Sequence, residues 1–418
     1  MINHKSFTTF ALVMYFTHKF SNGIKLVHLQ QASNVCCCGI GINTGARDQT
    51  PSQTGMAHFI EHTMFKGTAR RTATQIINRL EDVGGELNAY TTKEETFVYA
   101  TTLARDFERA AELISDMVFN ATFPQKEITR EAEVIAEEIE SYNDTPSELI
   151  FDDFEELIFD KRTLGIDILG SARKLAKYTT DDAAGFVKCN YNTDQMVFFS
   201  VSPLDFKKVL KVVEKCVGGI PANLRKHTRE QNTIYTQKDI EKRKRTHQIH
   251  LVVGNRSCAL GSDEFYPMYM LNNILGGPGM NSRLNLALRE HNGLAYTVES
   301  NLTTYTDSGV FCVYVGAEQK NLDKCRKLIS REMEKLATTA ITPTALAKYK
   351  RQILGQIAIA NENKEALALS IAKSFLHRDK IATYEQICEY INEITAEDIR
   401  KAAERVFDEQ MLSSVLYY

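Results

Sequence analysis

The sequence predicts an α+β fold of two homologous domains, each an antiparallel sheet packed by helices. Three observations carry that expectation. The chain has 418 residues, too many for one ordinary hydrophobic core. Its two halves present the same order of elements, as a duplicated unit would. Even short text recurs, Ala89-Tyr90-Thr91 in the first half against Ala295-Tyr296-Thr297 in the second. The expected domains are residues 1–230 and 231–418. The boundary falls within Asn223 to Arg245, where polar and charged residues replace the apolar pattern.

In the first half, Gly23 to Leu29 and Val35 to Asn43 read as strands. A polar loop then leads into the helix that holds "MAHFIEHTMF", Met56 to Phe65. A second helix, Thr72 to Val83, stops at Gly84-Gly85. The stretch "ELNAYTTKEETFVYATTL" alternates as paired strands do. A helix follows from Ala104 to Phe119, and another begins near Gln125. In the second half, Gln248 to Gly254 reads as a strand and Met268 to Leu275 as part of a helix. The glycine-rich turn "GGPGMNSRL" leads to a helix from Arg283 to His291, stopped at Asn292-Gly293. Two strands, "LAYTVESNLT" and "SGVFCVYVGA", precede a helix from Asn321 to Leu336.

Composition narrows the function classes. The net charge of −3 is spread over mixed acids and bases, which argues against nucleic-acid binding. The densest basic run, Lys238 to Arg245, is interrupted by acids and reads as a solvated linker. The nine cysteines include the adjacent Cys36-Cys37-Cys38 in an apolar run, and no CxxC occurs. This usage favours a reducing compartment, so a cytoplasmic location is expected. The apolar run Phe7 to Phe16 has the length of a signal-peptide core but lacks a small-residue cleavage site. An N-terminal strand, or a start codon placed upstream of Met14, ranks above export, with a periplasmic location as the alternative. No apolar segment is long enough to span a bilayer, and no membrane partner is expected.

The chemistry concentrates in "HFIEH". Residues three and four apart on a helix share a face, so His58 and His62 project together with Glu61 beside them. Neutral imidazoles one turn apart are suited to zinc, and H-x-x-E-H is the inverzincin order. Two histidines and a glutamate within one turn, among Met56, Phe59, Ile60 and Met64, are poorly explained as ordinary hydrogen-bonded residues. A catalytic zinc takes three protein ligands and keeps one position open. The helix "TREAEVIAEEIESYNDTP", Thr129 to Pro146, offers candidates. Arg130, Glu133, Glu137 and Glu140 form a polar stripe. Glu131 and Glu138, two turns apart, fall among Val134, Ile135, Ile139 and Tyr142. Carboxylates on an apolar face need a partner, and the "HFIEH" helix is the natural one.

"GMAHFIEHTMFKGT", "GGELNAYTTKEETFVY", "EVIAEEIESYNDTPSE" and "GGPGMNSRLNLALREHNGLAYTVES" resemble the pitrilysin/insulysin superfamily of zinc metallopeptidases. The likeness is to its mitochondrial-processing-peptidase-like, single-half bacterial branch. The resemblance implies one zinc per chain, held by His58, His62 and Glu138, with Glu61 as general base on the metal's water. It implies Glu131 as a supporting carboxylate, and Arg289 and Tyr296 as a substrate-binding pair from a second half that has no zinc site. It places peptide along Asn88, Ala89 and Tyr90, while Phe59 could either line a pocket or pack in the core. The expected function is an endopeptidase that hydrolyses short or unfolded peptides inside an enclosed chamber. A homodimer is the expected enclosure, a heterodimer with a non-catalytic homologue the alternative. The rival function is a non-catalytic assembly subunit, or one that needs a partner chain. The Gly276-Gly277-Pro278-Gly279 loop lacks the Lys-Ser/Thr of a phosphate-binding loop and reads as a loop near the substrate.

Overall fold

The computed structural model describes residues 15–231, 235–244 and 246–418. Residues 7–14 of the N-terminal apolar run, on which the export and start-site readings turn, lie outside them. Eleven strands form two sheets among the described residues. The first contains β1 (Tyr15–Lys19), β2 (Lys25–Gln30), β3 (Val35–Ile42), β4 (Glu86–Thr91), β5 (Thr96–Leu103) and β6 (Met196–Ser202), in the order β1-β2-β6-β3-β5-β4. The second contains β7 (Asp239–Lys242), β8 (Ile249–Ser257), β9 (Ala295–Thr304), β10 (Gly309–Ala317) and β11 (Ser413–Tyr417), in the order β7-β11-β8-β10-β9. Each sheet is antiparallel except for one pair, β2 with β6 and β7 with β11. Thus β4 and β9, which carry the recurring Ala-Tyr-Thr text, are both edge strands.

The helices that matter to the site lie in the first half. They are α1 (Met56–Met64), α2 (Ala73–Glu81), α3 (Phe107–Asn120), α4 (Gln125–Asn143) and α5 (Pro146–Ile158). Helices α1 and α3 press apolar side chains onto one face of the first sheet, with Phe59, Ile60, Ala110 and Ile114 fully buried. β3 is buried on both sides, which explains its unbroken apolar run. Its Gly39 and Gly41 leave room for aromatic rings: a Cβ at Gly41 would lie 2.6 Å from the Phe97 ring, and one at Gly39 2.6 Å from that of Phe199.

The opposite face of this sheet is covered from the other half of the chain. The helix Lys364–Arg378 lays Ala368, Ile371, Ala372 and Phe375 against Val27, Phe97, Phe199 and Val201. Reciprocally, α5 sets Ile150, Phe154 and Ile158 against Val252, Val310, Cys312 and Val415 of the second sheet. Each sheet therefore sits between helices of its own half and one helix of the other.

Three local expectations are corrected. The basic run is not wholly a solvated linker, because Asp239–Lys242 pairs in parallel with β11 and Lys242 reaches Asp153 at 2.5 Å. The segment Thr129 to Pro146 is not one helix: α4 ends at Asn143 and Pro146 opens α5, the position a proline tolerates. Val134 is 46% exposed rather than part of an apolar face.

Candidate metal centre and active site

Helix α1 starts from Gly55, whose φ of +92° is open to glycine; a Cβ there would meet the Leu169 carbonyl at 2.7 Å. Met56, Phe59, Ile60 and Met64 anchor the helix in the core. That leaves His58, Glu61 and His62 on the side that meets α4 and β4. The rings of His58 and His62 lie edge to face, 4.6 Å apart.

α4 brings two glutamates to them. Glu138 Oε1 lies 3.8 Å from His58 Nε2, and Glu138 Oε2 lies 3.5 Å from His62 Nε2. Glu131 approaches from the other side, with Oε2 3.4 Å from His62 Nδ1. Donor atoms of His58, His62 and Glu138 all fall within 4.8 Å of one another, and no other trio of this kind occurs among the described residues. Two ligands at zinc–nitrogen distance around a tetrahedral ion stand about 3.4 Å apart. The donor set, two imidazole nitrogens and a carboxylate, therefore fits a zinc ion in chemistry and spacing.

Electrostatics sorts the roles. Burial, and then the neighbouring His62, push His58 down to about 4, so it is a neutral donor at pH 7. Burial works against charge on His62 as well, but the hydrogen bond to Glu131 and the charges of Glu138 and Glu61 outweigh it and raise its pKa. Glu61 is raised above the ordinary carboxylate range by burial, which outweighs the opposing contributions of Thr91 and His62. Its Oε2 is buried with no hydrogen-bond partner. Glu133 and Glu137 face solvent.

The remaining site residues separate. Asn88 is exposed on edge strand β4, Ala89 packs towards the core, and Tyr90 stacks on Phe97 with centroids 5.2 Å apart. Phe59 has no exposed surface and packs against Tyr178 at 5.6 Å. It is a core residue and not a pocket wall, because the apolar side of α1 faces inward. Tyr296 is 62% exposed on edge strand β9 and donates to Glu318 at 3.2 Å. Arg289 lines a groove of about 360 Å³ with Asn272, the Gly276–Gly279 loop and Ser300. No contact joins Arg289 or Tyr296 to the histidines among the described residues. The counterpart helix Phe265–Gly276 holds no histidine.

Lys66 was missed by the sequence reading. Its Nζ lies 2.7 Å from Glu131 Oε1. Lys66 lies in the turn just past the end of α1, where helical phase gives no face and the sequence held no signal for the contact.

Comparisons with known proteins agree with this layout. Residues 26–172 match the family model described as insulinase (peptidase family M16), and residues 177–353 match the peptidase M16 inactive domain. An uncharacterized zinc protease of Bacillus subtilis is 32% identical over 390 residues, covering 93% of this chain and 94% of that protein. An uncharacterized zinc protease of Rickettsia felis is 30% identical, covering 89% and 90%. A protease from Helicobacter pylori superposes with a TM-score of 0.89 at 19% identity, covering 97% of this chain and all of that one. A Pseudomonas fluorescens structure described as a peptidase M16 inactive domain gives 0.90 at 17% identity, covering 97% and 98%. These two structural likenesses speak to the fold.

Proposed function

The chain belongs to peptidase family M16, the insulinase family, and from that premise we propose that it is a zinc-dependent endopeptidase acting on short or unfolded peptides. The observation that carries the proposal is the trio His58, His62 and Glu138 with unpartnered Glu61 Oε2 beside it. One zinc per chain, when bound there, supplies a Lewis acid that polarises a carbonyl and acidifies water towards about pH 7.

The rest is done by side chains. Glu61, outside the ligand set, takes the proton of the attacking water and passes it to the leaving amine. Glu131 accepts from His62 Nδ1 and keeps Nε2 turned to Glu138. The free edge of β4 offers main-chain donors and acceptors to an extended peptide, which would lie along Asn88, Ala89 and Tyr90 as an added strand. Arg289 and Tyr296 are donors suited to a developing oxyanion. Because neither touches the histidines, their use requires substrate, or a second copy of the chain, to bring them in. A homodimer enclosing a chamber provides that second copy.

The test is cleavage of a quenched unstructured peptide by chelator-stripped and zinc-restored protein, beside small esters and amides. Peptide cleavage that disappears with the metal and returns with zinc is the expected result. Turnover of esters alone would contradict the peptidase assignment.

A further inference from the structure

Glu131 is a carboxylate shared between two donors. Oε1 accepts from Lys66 Nζ at 2.7 Å, Oε2 faces His62 Nδ1 at 3.4 Å, and the glutamate side chain is only 5% exposed. Lys66 itself is partly open to solvent, its side chain 29% exposed. It stands just beyond the end of α1, in the turn that follows Met64.

We propose that Lys66 is a positioning residue of the metal centre, pinning Glu131 so that its second oxygen accepts from His62 Nδ1 and leaves His62 Nε2 free for the metal. The proposal rests on the zinc reading above and assigns how that site is held in shape. A buried carboxylate with one oxygen unpaired is costly, so without Lys66 two relaxations compete. Glu131 rotates towards water, or it takes up a proton and turns that oxygen elsewhere. Either one loosens the acceptor at His62 Nδ1, and with it the tautomer that presents Nε2.

Charge gives a second reason for a lysine at this place. Glu61, Glu131 and Glu138 bring three carboxyl groups about two imidazoles, and Lys66 adds a positive charge beside Glu131. Lys66 also repels a nearby cation, so its removal has two opposite effects on zinc affinity. The indirect effect runs through Glu131 and weakens binding, whereas the direct effect does not need Glu131 and strengthens it. Substituting Glu131 as well separates the two.

The experiment measures zinc dissociation constants by chelator competition for wild type, Lys66→Met, Lys66→Arg, Glu131→Gln and the double variant K66M/E131Q. Loss of such a supporting contact typically weakens metal binding about 10–100-fold, and that range is expected for K66M. K66R, which keeps a donor and a charge, is expected to restore most of the affinity. In the Glu131→Gln background K66M is expected to cause no weakening. An effect of K66M on zinc affinity that is the same in the wild-type and Glu131→Gln backgrounds would overturn the proposal. If K66M fails to fold, the K66R comparison still decides: a loss of affinity there as large as in Glu131→Gln counts against a donor role.

An independent readout is nitrogen NMR of His62 in metal-free protein at alkaline pH. The neutral ring is expected as the Nδ1–H tautomer in wild type and as a mixture in K66M. An unchanged Nδ1–H tautomer in K66M would also sink the proposal. If wild type binds no zinc, the functional reading fails while the tautomer measurement still judges Lys66.

Discussion

Glu137 and Glu138 are adjacent residues with different surroundings. Helical phase turns Glu137 to solvent and Glu138 to the two histidines. Glu131 is buried and Glu138 stays 44% exposed, so it is the helical phase that the sequence made legible and not the depth of each carboxylate. Phe59 was not decided by the same reasoning, since an aromatic residue beside a catalytic histidine suits a pocket or a core equally. Its complete burial leads to a plain expectation. Phe59→Ala should destabilise the fold by about 3–5 kcal/mol, read from denaturant midpoints. A change in substrate preference at unaltered stability would contradict the core assignment. Lys66 escaped notice for another reason: a lysine near a helix end ordinarily reads as a solvated charge, and only the position of Glu131 gives it a partner.

At the scale of elements, the reading found β2 to β5 and β8 to β10 but gave no element for β6, β7, β11 or the helix Lys364–Arg378, and it could not say which sheet each helix covers. The apolar stripes of α5 and of Lys364–Arg378 would suit either sheet, and nothing local to those sequences records the exchange between halves. The turn between β4 and β5 shows how that exchange is fixed. Lys93, Glu94 and Glu95 are consecutive, charged and buried. Lys93 Nζ bonds Glu155 at 2.5 Å, and Glu94 accepts from Arg47 at 2.6 Å. Glu95 holds His377 and Lys373, each at 2.7 Å.

Burial alone would raise the pKa of Glu95. The His377 hydrogen bond and the Lys373 charge prevail and hold it at about 2. A folded-state value below the unfolded one means stability that is present above about pH 4.5 and is lost as pH falls towards 2. Urea melts across that window should show a loss on the order of 3 kcal/mol, and Glu95→Gln should flatten the slope. An unchanged slope in that variant would assign the acid sensitivity to other groups.

At the scale of the whole molecule, Arg47 joins the halves. Its side chain is 1% exposed and bonds Glu94 and Asp307, with Asp307 at 2.9 Å on the second-sheet side. Arg47→Met takes the guanidinium from Asp307 and one partner from Glu94, which keeps Arg229 and Thr306, and should cost about 1–3 kcal/mol. Calorimetry should then show one cooperative transition moved down. Two separate transitions would mean that the halves unfold independently even though their helices are exchanged. The duplicated architecture was legible as recurring text and element order. The interlock was not, because it depends on contacts such as Arg47 with Asp307, 260 positions apart, and Glu95 with His377, 282 apart. Assembly is the further expectation at this scale: ultracentrifugation should give twice the chain mass, and a monomer would remove the enclosed chamber from the account.

The central claim is that His58, His62 and Glu138 hold zinc while Glu61 moves the proton. Zinc content and unstructured-peptide cleavage, compared between wild type and Glu61→Gln, test it most directly. The account predicts one zinc per chain in both proteins and turnover in wild type alone. Retained turnover in Glu61→Gln would contradict the general-base role, and absence of zinc from wild type would contradict the site itself.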